Sequence, residues 1–219
     1  MVFIIDPIHQ GERPQFHKKD CRQIPSLCEG HNLIGNQMVL IDDFFGSWRL
    51  WDAIRGLDYL LSRPEVDSSK IGVTGNSGGG TLTTYLTAFD SRVTMSAPSC
   101  YICSYLANME NELPSDAEQC PPGILAYGLD QADLLVCRAP KPIMIMGQHD
   151  DFFDIRYTKK SFEDLKKIYS LLGARQNARL FIGPRSHGFF IENREEMYKW
   201  FMHHSRIKGT HKEKDISPV

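Results

Sequence analysis

The sequence lacks a long apolar run, a strong charge imbalance and a basic N-terminal leader. No hydrophobic stretch approaches the roughly 20 residues that span a bilayer, and the apolar start at residues 1–6 is too short for a signal peptide. The formal net charge is −2 over 219 residues, so no global field favours nucleic acid or an anionic membrane. We therefore expect neither nucleic acid nor a membrane as a partner.

The sequence lacks a regular cysteine framework. The six cysteines are scattered: Cys21, Cys28, Cys100, Cys103, Cys120 and Cys137. A chain of 219 residues can bury a core without covalent staples, so we expect free thiols. Cys100 and Cys103 form a CxxC pair, but no second pair stands at zinc-site spacing and no thioredoxin-like elements frame it. We expect neither a metal ion nor a cofactor.

The sequence does contain short apolar strands that alternate with amphipathic helices. Strands are predicted at 3–5, 70–74, 93–95, 142–146 and 179–182, and helices at 48–62, 80–86, 156–172 and 192–206. In the first helix, apolar residues recur every three or four positions and form one face. Strands that alternate with helices predict an α/β fold, in which a mostly parallel sheet is covered by helices on both faces.

The domain organisation is predicted from composition along the chain. Residues 1–207 are expected to form a single α/β domain and residues 208–219 a frayed, solvated tail. Residues 8–35 are polar and rich in glycine and proline, which predicts a long excursion. Residues 97–139 show no clear strand and are rich in Pro, Asn and Glu, which predicts a helical insertion over a site.

The segment Gly75-Asn76-Ser77-Gly78-Gly79 lies between a predicted strand and a helix of small residues. Strand, G-x-S-x-G and helix is the arrangement of a nucleophile elbow. Glycines suit this turn because a Cβ would clash with the neighbouring strand and helix. The turn lifts one hydroxyl above the sheet edge, so Ser77 is the predicted nucleophile of a serine hydrolase.

A nucleophilic serine needs a base, and the base needs an orienting acid. In α/β hydrolases these residues follow the order Ser, Asp/Glu, His, each after the C-terminal end of a strand. Here His187 follows the last predicted strand, and Asp150, Asp151 and Asp154 follow the strand before it. Helix capping explains Asp154. The predicted triad is therefore Ser77, His187 and one of Asp150 or Asp151.

The remaining candidates have weaker claims. His149 precedes the acid cluster and is predicted to be a local loop residue, while His203 and His204 are predicted to lie on the surface of the last helix. Four further histidines fall in the early excursion or the tail: His9, His17, His31 and His211. Three other residues are candidates for bordering the pocket, with core packing as the default: Trp48, Cys100 and Tyr101.

The stretch Asp6-Pro7-Ile8-His9-Gln10-Gly11-Glu12-Arg13 resembles the D-P-x-G-Q-G-E-R segment of acetyl xylan esterase-like α/β hydrolases. Similar segments follow: Gly35-Asn36-Gln37, Phe45-Gly46-Ser47-Trp48-Arg49, Arg63-Pro64-Glu65-Val66-Asp67, Gly72-Val73-Thr74-Gly75-Asn76-Ser77-Gly78-Gly79-Gly80 and Glu192-Asn193-Arg194-Glu195. The resemblance spans residues 3–203 and implies an α/β-hydrolase fold. It also implies a serine esterase that acts on acetyl or similar small acyl groups of carbohydrates.

The resemblance bears on the choice of acid. The family's acid loop reads G-Q-x-x-D-F-F-D, and the matching aspartate here is Asp151. A general D-x-x-V-P register of hydrolases would instead select Asp150. The resemblance favours Asp151, with Asp150 as the alternative.

The chain departs from the family at two places. His9 stands where the family has glycine, and three strands that precede the one at 3–5, with the loop supplying one oxyanion donor, have no counterpart. The resemblance thus implies an N-terminally truncated hydrolase domain, similar to the C-terminal two-thirds. One missing strand would separate those at 3–5 and 71–73. We expect these two to pair directly. A strand from a second copy, in a homo-oligomer, is one alternative, and detachment of the N-terminal segment, which would leave residues 71–74 as an exposed apolar edge, is the other.

The predicted reaction is ester hydrolysis through an acyl-enzyme, with a small-molecule or carbohydrate ester as substrate. The Gly78 N–H is the predicted oxyanion donor, and slow turnover is expected because a second donor is missing. One alternative is a serine peptidase of the prolyl-oligopeptidase type, which shares the elbow and triad order. The other is a truncated hydrolase fragment that is inert or depends on a partner.

Overall fold

The computed structural model describes residues 1–16, 27–113 and 115–214. The helices are α1 (Leu27–Val39), α2 (Phe45–Leu61), α3 (Gly78–Phe89), α4 (Tyr105–Glu110), α5 (Asp133–Val136), α6 (Ile155–Leu171) and α7 (Ile191–Ser205). The strands are β1 (Gly72–Asn76), β2 (Met95–Ser99), β3 (Ile143–Asp150) and β4 (Ala178–Ser186). Single 3₁₀ turns occur at Ala117–Gln119 and Arg175–Asn177. His17, Cys21 and the predicted tail from residue 215 onward lie outside the described residues.

The four strands form one parallel sheet in the order β1-β2-β3-β4. Each parallel step needs a crossover, which α3 supplies between β1 and β2, and α6 between β3 and β4. The predicted α/β fold class with a mostly parallel sheet is confirmed.

Strand β3 shows why both faces of the sheet are buried. Its side chains alternate, so Ile143 and Ile145 pack into a cluster with α6, while Met144 and Met146 pack into another with α7. All four side chains are at most 1% exposed. A strand buried on both faces reads as a continuous apolar run, which is the pattern that located β3 in the sequence.

The strands begin and end at positions different from those predicted. β1 begins two residues later than the predicted start at residue 70, and β2 runs on to Ser99. β3 continues as far as Asp150, and β4 continues to Ser186. Backbone pairing therefore extends beyond the apolar residues into polar ones, which is the part of a strand that hydrophobicity does not mark.

The strand predicted at residues 3–5 is wrong. These residues adopt no strand, and within the described ranges β1 pairs with β2 alone. The Phe3 ring lies 5.9 Å from the Tyr59 ring of α2. It also lies beside Gly56, where a Cβ would come within 2.8 Å of it. Phe3 and Ile5 lie against α2 at Gly56, Ile4 is exposed, and the expected direct pairing with β1 does not occur.

Helix α1 was not predicted, because its glycines read as turn signals. These glycines instead permit close packing. A Cβ on Gly35 would lie 2.1 Å from the Ala117 Cβ, and one on Gly30 would lie 1.9 Å from the His9 Nε2. His9 itself has φ of 64° and is 2% exposed, and its Nδ1 accepts a hydrogen bond from the Gln15 N–H at 3.1 Å. A histidine with an anchored ring thus holds the left-handed conformation that glycine adopts easily.

The chain forms two compact units. The first consists of Met1–Ser68 with Pro114–Leu129 and contains α1, α2 and the 3₁₀ turn Ala117–Gln119. The second consists of Ser69–Leu113 with Asp130–Val219 and contains the sheet with α3 to α7. The segment 97–139 begins inside β2 and carries α4, the 3₁₀ turn and α5, so its helices are short.

Two further features concern the surface. No described helix combines the length and the apolar character that a membrane crossing requires. In the tail, Lys212 pairs with Glu195 at 2.5 Å, and the Glu213 carboxylate accepts hydrogen bonds from Arg194 at 2.6 and 2.7 Å. The described part of the predicted tail is therefore tied to α7 by ion pairs.

Candidate active site

Ser77 lies in the turn between β1 and α3. Its backbone has φ of 57° and ψ of −120°, which is a strained conformation for a residue with a side chain. Its N–H donates to the Ser99 carbonyl oxygen at 2.9 Å. A Cβ on Gly75 would lie 2.5 Å from the Gly79 carbonyl oxygen, and one on Gly80 would lie 2.4 Å from that of Ser99. The strand, the turn and the helix approach so closely that only glycine fits at these two positions.

His187 and Asp151 are in direct contact. The His187 Nδ1 lies 2.8 Å from the Asp151 Oδ1. The aspartate side chain is 1% exposed, whereas that of the histidine is 22% exposed. A carboxylate only accepts hydrogen bonds, so Nδ1 is the donor in this contact, and in the neutral form of this tautomer Nε2 is an acceptor. The Phe152 ring stacks on the imidazole at 4.1 Å and 26°.

The three aspartates of this loop differ in their contacts. Asp150 is 68% exposed at its side chain and pairs with the neighbouring His149 at 2.7 Å. Asp154 accepts a hydrogen bond at the N-terminus of α6 and caps that helix, as predicted. Asp151 accepts the hydrogen bond from His187. The geometry therefore favours the family register over the alternative register that selects Asp150.

A buried amide pair holds the loop that carries His187. The Gln148 Nε2 donates to the Asn193 Oδ1 at 2.7 Å and to the Gly188 carbonyl oxygen at 3.1 Å. The Gln148 Oε1 accepts from the Arg185 N–H at 3.1 Å, so the amide contacts the loop on both sides of the histidine. Gln148 and Asn193 are both fully buried. Sequence reasoning missed their role, although both lie in segments that carry the family resemblance.

Cys100 lies beside the histidine–aspartate pair. It follows β2 with φ of 51° and is 2% exposed. Ligand atoms of Cys100, Asp151 and His187 all lie within 4.8 Å of one another. Burial raises the pKa of the Cys100 thiol to about 12, so it is uncharged at neutral pH. Of the other two pocket candidates, Tyr101 is fully buried in the core, and Trp48 is 53% exposed.

The end of β2 links the serine turn to the histidine loop. Ser99 accepts the N–H of Ser77, and the next residue, Cys100, places its Sγ 3.6 Å from the Gly188 carbonyl oxygen. Ser77, Asp151 and His187 follow the C-terminal ends of β1, β3 and β4. In a parallel sheet these ends share one edge, and Gly78 begins α3 at the same edge.

The chain matches known proteins of related fold. A model of the prolyl oligopeptidase family matches residues 40–207. The Bacillus subtilis protein YtaP, named as a hydrolase, is 23% identical over 165 residues, which cover 70% of this chain and 52% of YtaP. The chain therefore spans about half the length of that relative.

Solved structures resemble the chain as well. The methylesterase BT1017 is 28% identical with a TM-score of 0.59, over 73% of this chain and 35% of that protein. A Bacteroides fragilis protein described as an acetyl xylan esterase, BF1801, is 13% identical with a TM-score of 0.66, over 81% of this chain and 45% of that protein. The implied α/β-hydrolase fold is confirmed.

Proposed function

The chain belongs to the prolyl oligopeptidase family of serine hydrolases, and on that premise we propose that it is a serine esterase. The proposed substrates are acetyl or similar small acyl esters of carbohydrates, the class implied by the resemblance of its motifs to acetyl xylan esterase-like hydrolases. One observation carries the proposal. A buried Asp151 carboxylate accepts a hydrogen bond from His187 at the sheet edge on which Ser77 stands in a strained turn.

Acylation begins with attack by the Ser77 hydroxyl oxygen on the ester carbonyl carbon. The His187 Nε2 accepts the hydroxyl proton, and the imidazolium that forms keeps its Nδ1–H on the Asp151 carboxylate. The resulting tetrahedral oxyanion is stabilised by the Gly78 N–H, at the first turn of α3. Collapse expels the alcohol, which takes the proton from His187, and leaves the acyl group on Ser77.

Deacylation repeats these steps with water as the nucleophile. The neutral His187 accepts a proton from the attacking water molecule, and its protonated form returns that proton to the Ser77 oxygen as the acid leaves. The Asp151 carboxylate holds the same imidazole tautomer through both halves of the reaction. If a second oxyanion donor is missing, turnover is slow, since losing one donor typically costs roughly 10²–10³ in kcat.

A serine peptidase is the second candidate function, and the family match favours it. Both functions use the same nucleophile and base, so labelling of Ser77 does not separate them. The leaving group of the substrate separates the two functions, because cleavage of an amide needs a stronger general acid and a specific binding site for the peptide. Hydrolysis of a prolyl anilide, without hydrolysis of p-nitrophenyl acetate, would replace the esterase proposal by the peptidase one.

The test combines a covalent probe with matched variants. A fluorophosphonate probe should label the native chain and should fail to label Ser77→Ala and His187→Ala. p-Nitrophenyl acetate should be turned over, and acetylated xylo-oligosaccharide should be preferred to a methyl uronate. A native chain that neither reacts with the probe nor hydrolyses any ester would refute the proposal and favour an inert fragment.

A further inference from the structure

Cys100, Asp151 and His187 form a compact cluster of metal-ligating atoms. A thiol sulfur, a carboxylate oxygen and an imidazole nitrogen all lie within 4.8 Å of one another. Donor atoms around a tetrahedral zinc ion are about 3–4 Å apart, given metal–ligand bonds of about 2.0–2.3 Å. The three atoms therefore need to move by only about an ångström to share one ion.

The carboxylate of this cluster has an unused ligand position. The Asp151 Oδ1 accepts hydrogen bonds from His187 and from the Phe153 N–H, at 2.8 and 3.1 Å. The Oδ2 is buried and accepts from no N–H or O–H group among the residues that the structure describes; the remaining polar neighbour of the Asp151 carboxylate is the Cys100 thiol, a weak donor. A buried carboxylate oxygen without a strong donor is costly, so a cation that binds it relieves that cost.

Charge balance points the same way. The two anionic ligands that this cluster can offer a metal ion are the Cys100 thiolate and the Asp151 carboxylate. A divalent cation that binds with the Cys100 thiolate makes the sum zero, because two negative ligands meet two positive charges. A bound metal ion deprotonates a coordinating thiol outright, even one whose pKa is high.

We propose that Cys100, Asp151 and His187 form an inhibitory site for a soft divalent cation, Zn²⁺ foremost. Thiolate, imidazole and carboxylate are the ligands zinc takes in proteins, whereas Mg²⁺ and Ca²⁺ prefer oxygen. Water completes the fourth position. Access is from the side of His187, which is 22% exposed at its side chain, past the half-exposed Phe152 ring.

Metal binding at this site blocks the proposed base. The ion takes the Nδ1 position of His187, and the Nδ1 proton moves to Nε2, so the imidazole stays neutral. The thiol proton of Cys100 is released to solvent, which gives one proton per ion bound. A protonated Nε2 donates and cannot accept the Ser77 proton. This inhibitory effect rests on the proposed function, whereas metal binding itself does not.

A second cluster of potential ligand atoms differs from the first in the charge that a metal ion would meet. His31, Asp116 and Glu118 also present ligand atoms within 4.8 Å of one another. There the Arg49 guanidinium already lies 2.6 Å from the Glu118 carboxylate, with both side chains at most 2% exposed. A metal ion would meet a fixed positive charge, so this cluster is not expected to bind one.

The direct test is titration of the purified chain with Cd²⁺, which gives a thiolate-to-metal absorption band in the ultraviolet when sulfur binds. One equivalent should produce the band in the native chain and in Cys137→Ser, which removes an exposed thiol. Cys100→Ser and Cys100→Ala should lose it and bind Zn²⁺ at least about 100-fold more weakly by calorimetry. Thermal melts identify which variants are folded, and the two substitutions provide independent readings.

Activity provides the second readout. Zn²⁺ should suppress fluorophosphonate labelling of the native chain and of Cys137→Ser, and EDTA should restore it, while Mg²⁺ has no effect. A band that persists in both Cys100 variants, or is absent from the native chain, overturns the site. Metal binding at Cys100 without any labelling in metal-free protein would refute the proposed function and leave the site standing.

Discussion

The two units of the chain each contain a histidine whose Nδ1 faces a carboxylate, and the two clusters differ in what surrounds them. In the first unit the His31 Nδ1 lies 3.1 Å from Asp116 and 3.3 Å from Glu118. In the second unit the His187 Nδ1 lies 2.8 Å from Asp151. The side chain of His31 is 2% exposed, whereas that of His187 is 22% exposed.

Their charges differ as well. Burial alone would lower the pKa of His31, but hydrogen bonds to Asp116 and Glu118 outweigh burial and raise it. With His31 protonated, two positive groups, His31 and Arg49, balance the two carboxylates. The Asp151 cluster contains no arginine ion pair among the described residues, and its histidine is more exposed. The closed cluster, formed by His31, Arg49, Asp116 and Glu118, suits a structural role. The open cluster, formed by Cys100, Asp151 and His187, suits proton transfer.

The largest expected effect is the difference between substitution of Asp151, in the open cluster, and substitution of its exposed neighbour Asp150. Asp151→Asn should lower kcat for p-nitrophenyl acetate by roughly 10⁴-fold, the loss seen when a triad acid stops fixing the imidazole tautomer. Asp150→Asn, an equal change one residue away on a 68% exposed side chain, should alter kcat by less than about threefold. Steady-state kinetics on the two variants give the ranking. The reverse ranking would show that Asp150 is the acid.

Substitutions in the closed cluster should change the free energy of unfolding rather than catalysis. Arg49→Met leaves buried carboxylates uncompensated and should lower the free energy of unfolding by about 3–5 kcal/mol. The control is Arg55→Met on the same helix. Arg55 pairs with Asp58 at 2.6 Å, but its side chain is 55% exposed, so the loss should be at most about 1 kcal/mol. Urea denaturation measures both, and equal losses would remove the contrast between buried and exposed pairs.

The pH dependence of stability should carry opposite signs at two histidines. His31 has a raised pKa in the folded state, so its contribution is complete below its ordinary value and is lost as the pH rises through the raised value. His204, predicted to lie on the surface, packs instead against Trp200 at 4.0 Å. Burial, and then nearby His203, lower the His204 pKa to about 4. Its contribution is present above about 6.5 and is lost as the pH falls toward 4.

Melting curves between acid and alkaline pH test these signs one at a time. His31→Gln should flatten the decline on the alkaline side and leave the acid side unchanged. His204→Gln should flatten the acid side between about pH 6.5 and 4 and leave the alkaline side unchanged. An unchanged alkaline decline in His31→Gln would mean that His31 is not protonated in the native cluster.

The contact between His187 and Asp151 was predictable from sequence, and the closed cluster was not. Each member of the proposed triad follows a strand at the position that hydrolase order assigns, so local patterns were enough to find it. Two members of the closed cluster, His31 and Asp116, are 85 residues apart along the chain. No local sequence pattern marks a contact between residues so far apart. His31 also lies in α1, a helix that was not predicted because its glycines resemble turn signals.

The supporting residues of the open cluster also escaped prediction. Gln148 and Asn193 are polar residues in otherwise ordinary positions, and only the fold reveals that both are buried and bonded to each other. Cys100 read as a core residue, which its burial bears out. Its proximity to Asp151 depends on how β2 and β3 align in the sheet. Such contacts depend on register between strands, which hydrophobic pattern does not fix.

The smallest expected effect concerns the phenylalanine beside each histidine. Phe45 lies 5.6 Å from the His31 ring and is 1% exposed, so it is a core residue of the closed cluster. Phe152 stacks on the His187 ring at 4.1 Å and is 53% exposed. A stacked aromatic pair contributes about 0.5–1.5 kcal/mol, which is about 2- to 10-fold in how well the imidazole is held.

Phe152→Ala should therefore lower kcat by about 2- to 10-fold, far less than the loss for Asp151→Asn, with little change in melting temperature. Phe152→Tyr keeps the stack and should keep the rate, because the extra hydroxyl can point to solvent. Phe45→Ala should instead cost about 3–5 kcal/mol of stability, since it opens a cavity in the core. If Phe152→Ala destabilised the chain as much as Phe45→Ala, the surroundings of His187 would be as tightly packed as those of His31.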